Sequence, residues 1–166
     1  MHFHQLQFLE LPAPVLYGLE GLTITRSPLP FYNHFDPPPQ LALKSLTLDG
    51  ITSSGYPEDL LWFLTSFHMP QLQRLELANL DHRLQFSAQF VRALCAPAIY
   101  PSLRYTKFTS LPLSNITPEF CHALPALETV ILVEVDPEPL LSLLRADRAL
   151  CPGLREIYVD GRAQSR

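Results

Sequence analysis

Glycine is scarce in this chain, with only 6 among 166 residues. No Gly-rich phosphate loop, no G-x-S-x-G elbow and no H-E-x-x-H helix occurs, so the common signatures of phosphate binding, serine hydrolysis and zinc proteolysis are missing. Cysteine is equally sparse. Cys95, Cys121 and Cys151 are odd in number and widely spaced, which argues against a disulfide framework and for a reduced intracellular setting, cytoplasmic or nuclear. Charge is low at 17%, with 12 basic against 16 acidic residues for a net charge of −4. Basic residues never cluster, so neither nucleic acid nor an anionic membrane surface is an expected partner. The apolar stretches Leu60 to Phe67 and Val130 to Val135 are far shorter than a membrane span. Met1-His2-Phe3-His4-Gln5 lacks the basic-then-apolar layout of a secretory signal.

Two residue types are abundant instead. The chain carries 17 prolines and 32 leucines. Prolines scattered from Pro12 to Pro152 exclude a long coiled coil or an ordinary helical bundle. A 47% hydrophobic content excludes a Pro-rich linker. Many short elements with a proline at each joint satisfy both constraints.

A repeat supplies those elements. The spacing L-x-x-L-x-L, with other apolar residues allowed, starts at Leu6, Leu19, Leu43, Leu72, Leu103, Leu127 and Leu154, at intervals of 13, 24, 29, 31, 24 and 27 residues. Thr106 is a polar residue at a nominally inward position. A proline stands two residues before the leucine at Pro70, Pro101, Pro125 and Pro152, which places these prolines at strand starts, where the missing N–H is tolerated. Another apolar residue recurs eight positions after the leucine, at Ile51, Leu80, Leu111 and Val135.

Between strands the period shifts toward 3.6, predicting helices over 57–68 and 84–95. Thr117-Pro118-Glu119 and Asp136-Pro137-Glu138 each place a capping side chain ahead of a proline, predicting two further helix starts. Strand-plus-helix units of this size cannot bury an apolar face alone and must stack. The expected fold is α/β: a solenoid arc spanning 1–166 as one domain, with a parallel sheet on its concave face and short helices or loops on its convex face.

The motifs Leu72-Gln73-Arg74-Leu75-Glu76-Leu77 behind Met69-Pro70, Leu127 to Leu132 behind Leu124-Pro125, and Leu154 to Val159 behind Cys151-Pro152 resemble the irregular leucine-rich repeats of F-box-type proteins, especially the divergent fungal ones. The resemblance implies repeats that hold a substrate for a ubiquitin ligase. Leu11-Pro12-Ala13-Pro14-Val15-Leu16 echoes the opening of an F-box, but Pro14 stands where that motif has an acidic residue. No F-box is therefore expected in this chain, and a ubiquitin-ligase adaptor would be a partner only through an F-box outside it. The asparagine ladder of regular repeats is also replaced, by Arg26, Gly50, Asn79, Ser110, Glu134 and Gly161. Polar capping segments are not apparent at either end, which leaves open a fragment of a longer solenoid.

In such strands the residues between the leucines point to the sheet face. One outward column reads Gly21, Ser45, Arg74, Tyr105, Thr129, Glu156, and the next Thr23, Thr47, Glu76, Lys107, Ile131, Tyr158. A third reads Thr25, Asp49, Ala78, Thr109, Val133, Asp160. Arg74, Glu76, Tyr105, Lys107, Ile131 and Tyr158 form the candidate site for docking a protein or peptide, since aromatic and Arg residues amid smaller ones make binding hot spots. The competing account is that Glu76 and Lys107 merely pair across the ladder and that Tyr and Ile simply favour strands. The cysteines recur near the repeat period and are expected as buried small hydrophobes rather than ligands or nucleophiles. His68 and His122 fall near helix ends, where an imidazolium favours the dipole. No catalytic constellation, cofactor or metal site is expected, and an enzyme is the least favoured class. A structural segment of a longer solenoid, binding nothing itself, is the alternative to an interaction module.

Overall fold

The computed structural model describes residues 2–4, 18–26, 40–51, 64, 68–80, 100–114, 116–147 and 149–164. Its centre is one eight-stranded sheet in which every strand lies beside the next in sequence. The strands are β1 (His2–His4), β2 (Gly21–Thr25), β3 (Ser45–Asp49), β4 (Arg74–Ala78), β5 (Tyr105–Thr109), β6 (Thr129–Val133), β7 (Glu156–Val159) and β8 (Arg162–Gln164). All neighbouring pairs from β1 to β7 are parallel, and β8 turns back antiparallel on β7. Two helices are described, α1 (Pro118–Ala123) between β5 and β6 and α2 (Glu138–Ala146) between β6 and β7. The chain is thus α/β with a mostly parallel sheet.

Alternating side chains decide which face is buried. From β2 to β6 the second and fourth residues of each strand are buried and the others are at least partly open to solvent. One inward column is Leu22, Leu46, Leu75, Thr106, Val130 and Ile157; the other is Ile24, Leu48, Leu77, Phe108 and Leu132, ending in the half-buried Val159. The apolar residues that recur after the strands, Ile51, Leu80, Leu111 and Val135, join the same core. Each fully buried aliphatic side chain contributes about 1.5–3 kcal/mol, so the ladder of leucines is the main cohesive element.

Beside β2 the sheet position is occupied by His2–His4, with Phe3 in register with Ile24. The motif at Leu6-Leu9-Leu11 lies outside the described residues. Counted along the column of Phe3, Ile24, Leu48, Leu77, Phe108, Leu132 and Val159, the intervals are 21, 24, 29, 31, 24 and 27 residues. The anomalously short first interval of the sequence pattern is replaced by one of ordinary length.

The prolines occupy a different place from the one the spacing suggested. The N–H groups of Leu72, Leu103, Leu127 and Leu154 donate to the carbonyls of Met69, Tyr100, Leu124 and Cys151 at 3.1, 3.2, 3.1 and 3.1 Å. Pro70, Pro101, Pro125 and Pro152 are therefore second residues of four-residue turns, four positions ahead of β4, β5, β6 and β7. Proline's fixed φ suits that position, and its missing N–H costs nothing there. Both ends of each turn are buried, so the motif anchors a reversal of the chain in the core.

Each strand also ends alike. Arg26, Gly50, Asn79, Ser110, Glu134 and Asp160 follow β2 to β7 with φ between 47° and 61°. The N–H groups of Arg26, Gly50, Asn79 and Ser110 donate to the last carbonyl of the next strand, at 2.8, 2.9, 3.1 and 2.9 Å. At Glu134 the acceptor is instead the Asp160 carboxylate, Oδ1 at 2.8 Å. The first five, and Gly161 with φ +77°, are the positions an asparagine ladder would fill; a left-handed backbone is what they share, and from Arg26 to Glu134 the ladder is carried by main-chain N–H groups. At the last one Asp160 and Gly161 both have positive φ and connect β7 to β8 as a two-residue hairpin loop, the conformation Asp-Gly favours. The edge of β7 is thereby covered, a feature the repeat pattern did not anticipate.

Helix starts follow their signals in part. The Asp136 carboxylate accepts the Glu138 N–H at 3.0 Å and caps α2, which buries Leu140, Leu141 and Leu144. Thr117 precedes α1 without capping it. Its hydroxyl bonds the Glu119 carboxylate instead, which holds that carboxyl below its ordinary range. Phe120 of α1 packs on Phe108 of β5 with ring centroids 6.3 Å apart. Of the helices predicted over 57–68 and 84–95, all of the second and most of the first lie outside the described residues; Leu64 is buried, and its carbonyl accepts the Tyr100 hydroxyl at 2.9 Å.

Candidate functional site on the open sheet face

The inward leucines leave the odd positions of every strand on one face, and register aligns them. Gly21, Ser45, Arg74, Tyr105, Thr129 and Glu156 are successive partners, as are Thr23, Thr47, Glu76, Lys107, Ile131 and Tyr158. The six candidate residues therefore sit together on four adjacent strands, β4 to β7. Neighbouring parallel strands lie about 4.8 Å apart, so the column Glu76–Lys107–Ile131–Tyr158 spans about 15 Å.

The face changes character along the sheet. On β2 and β3 it offers Gly21, Thr23, Thr25, Ser45, Thr47 and Asp49, all small or hydroxylated except the last. From β4 onward it becomes larger and more charged. The Arg74 guanidinium lies over the Tyr105 ring, its central carbon 3.9 Å from the centroid. The same guanidinium donates from Nε to Glu76 Oε1 at 2.6 Å. A cation held over an aromatic face is worth about 0.5–1 kcal/mol at exposed sites, and here it fixes the rotamers of three long side chains. Arg74 nevertheless remains about half exposed, with 48% of its side-chain surface open against 19% for Glu76.

Electrostatics at the trio are consistent with this packing. Partial burial raises the Tyr105 phenol above its usual range, Arg74 opposes that shift, and Glu76 adds to it. The phenol is thus neutral at physiological pH and available as a hydrogen-bond donor.

The pairing of Glu76 with Lys107 across the ladder does not form. The two are register partners, yet Glu76 gives its carboxylate to Arg74 on its own strand. Arg74, two residues away on the same face, reaches Oε1 with two guanidinium nitrogens, which a single Lys ammonium cannot match. Among the described residues no acidic side chain pairs with Lys107.

Two parts of this face were not legible from the repeat spacing. Ala163 of β8 is the register partner of Tyr158 and extends that column by one strand; the Asp160-Gly161 dipeptide was the available signal. The Thr129 hydroxyl lies 3.4 Å from Glu156 Oε2, which ties down the acidic end of the first column. Ionic contacts elsewhere lie off this face, at the turns before the strands (Lys44 with Glu20 at 2.8 Å, Arg104 with Glu128 at 3.7 Å) and along α2 (Arg145 with Glu138 at 2.7 Å).

Cys121 and Cys151 are buried, unbridged thiols, and Cys95 lies outside the described residues. His122 lies exposed in the last turn of α1, while His68 forms an isolated parallel bridge with Gln40. Among the described residues no group of three His, Cys, Asp or Glu side chains is placed to hold a metal ion. Among the same residues no helix is long and apolar enough to cross a membrane. Comparison of the chain with protein-family models, curated proteins and solved structures yields no match.

Proposed function

We propose that the chain is a leucine-rich-repeat solenoid of the irregular, F-box-associated kind, acting as a non-enzymatic protein-interaction module. Its partner docks on the open face of β4 to β7, taken as the concave side of the arc. Support for the repeat class comes from the sequential parallel pairing and from strand intervals of 21 to 31 residues, most of them within the roughly 20–29-residue range of such repeats.

The observation that carries the docking reading is the half-exposed Arg74 stacked on Tyr105. Beside it Lys107, Ile131 and Tyr158 are all half-buried on the same face. Tyr supplies large contact area with few rotors to freeze and Arg supplies a planar fork of hydrogen-bond donors, and both are enriched at interface hot spots. Their mutual stacking already restricts the side chains before a partner arrives. Handing the docked protein to a ubiquitin ligase belongs to this proposal only with an F-box supplied from outside this chain.

The test is partner capture by the full chain against its Tyr105→Ala and Tyr158→Ala variants. Both side chains lie on the open face, so both variants keep the wild-type unfolding midpoint to within about 1 kcal/mol. Capture is lost in each. Capture undiminished by both substitutions would remove the reading.

A further inference from the structure

We infer that the segment docking on this face presents a carboxylate to Lys107, with a large apolar side chain beside it on Ile131 and Tyr158. The inference rests on the docking reading above and adds the chemistry of the partner. It starts from charge. The acidic groups of the face are each engaged by a neighbour other than Lys107: Glu76 by Arg74, Asp49 by the Asn79 side-chain amide at 2.7 Å, Asp160 by the Glu134 N–H at 2.8 Å, and Glu156 near the Thr129 hydroxyl at 3.4 Å. Arg74 is compensated by Glu76 and by the Tyr105 ring. Lys107 is left as a half-buried cation with no acidic partner among the described residues.

Its surroundings fix what accompanies the charge. Lys107 has Ile131 as its register partner on one side, and Tyr158 stands one strand further. A carboxylate reaching Lys107 would therefore have apolar surface on one side, with Glu76, already engaged by Arg74, on the other. There an ion pair is stronger than in open water, and an aliphatic or aromatic neighbour gains burial at the same time. A basic segment meets Lys107 as a like charge, which costs affinity and discriminates against it.

The experiment is selection from a library of random linear peptides on the immobilised full chain. Titration of the enriched sequences against wild type, Lys107→Met, Tyr105→Ala and Tyr158→Ala follows. Methionine retains the apolar stem and removes only the charge, and urea unfolding of the variant verifies that the fold is intact. Enriched peptides are expected to carry Asp or Glu within one or two positions of a large apolar residue. Replacing that acid by its amide, or Lys107 by Met, weakens binding about tenfold. Combining the two changes weakens it no further, the mark of a direct pair. Peptides that require Tyr105 and Tyr158 yet bind Lys107→Met as well as wild type would overturn the acidic partner while leaving the docking face standing. Peptides indifferent to the two tyrosines, or no enrichment at all, would overturn both.

Discussion

Thr106 offers the sharpest test of the packing described above. It occupies the inward column between Leu75 and Val130, is fully buried, and its Oγ1 has no hydrogen-bond partner among the described residues. A hydroxyl taken from water without a replacement bond costs about 1–3 kcal/mol on mutational scales. Valine has the same branched outline, places a methyl where the hydroxyl stood and favours strands at least as well. Thr106→Val is therefore expected to stabilise the chain by about 1–2 kcal/mol. For a domain of this length each kcal/mol moves the melting midpoint by roughly 2–4 °C, so the rise is about 2–8 °C. The urea midpoint moves in the same direction with an unchanged slope, since the surface exposed on unfolding is the same. Thr106→Ser, which keeps the hydroxyl and removes the methyl, loses about 1 kcal/mol. A Val variant no more stable than wild type would show that the hydroxyl is satisfied in the folded state and refute the reasoning.

Other consequences follow from the same geometry. Burial raises the Tyr100 phenol well above its ordinary value. Its stabilising contribution is therefore complete below the unfolded-state value near 10 and is lost as pH rises above it. In alkaline titrations of urea stability, Tyr100→Phe flattens the decline above about pH 10, and at neutral pH it costs about 1–3 kcal/mol because the Leu64 carbonyl loses its donor. Gly50→Ala is expected to cost about 1–2 kcal/mol in thermal unfolding, because φ is +61° and the new Cβ meets Arg26 Cγ at 3.2 Å. Asp136→Ala removes the α2 cap and lowers stability by about 1 kcal/mol, read as a shift in the urea midpoint.

Much of the sheet was legible because its signal is redundant. From the second motif onward the L-x-x-L-x-L spacing puts two apolar residues on one side of each strand except β5, where Thr106 takes one of the places, and the register found from β2 to β7 is the one the spacing aligns. A slip of one residue would turn every leucine outward, which is why so short a motif suffices. The first strand was not legible in the same way. His2-Phe3-His4 offers one apolar residue and competes with a stronger leucine pattern just downstream. The prolines were recognised as punctuation, but a spacing alone does not say whether a proline begins a strand or bends a turn. That difference lies in hydrogen bonds between Leu72 and Met69 and their counterparts, which are invisible in composition.

The candidate site divides likewise. Alternation alone sets Arg74, Glu76, Tyr105, Lys107, Ile131 and Tyr158 on one face. Which of them touch is a matter of rotamers and competing partners, so the Glu76–Lys107 pair that the competing account required yields to the Arg74–Glu76 contact beside Tyr105.

The sequence by itself determined the period, the inward columns and the direction each outward residue takes, because a two-residue alternation and a recurring leucine leave little geometric choice. Only the tertiary structure decided how the charges on that face are shared, how the last strand is covered and where the prolines bend the chain. Those outcomes depend on distances between residues far apart in sequence, and a linear pattern carries no information about which of several nearby groups wins a single carboxylate.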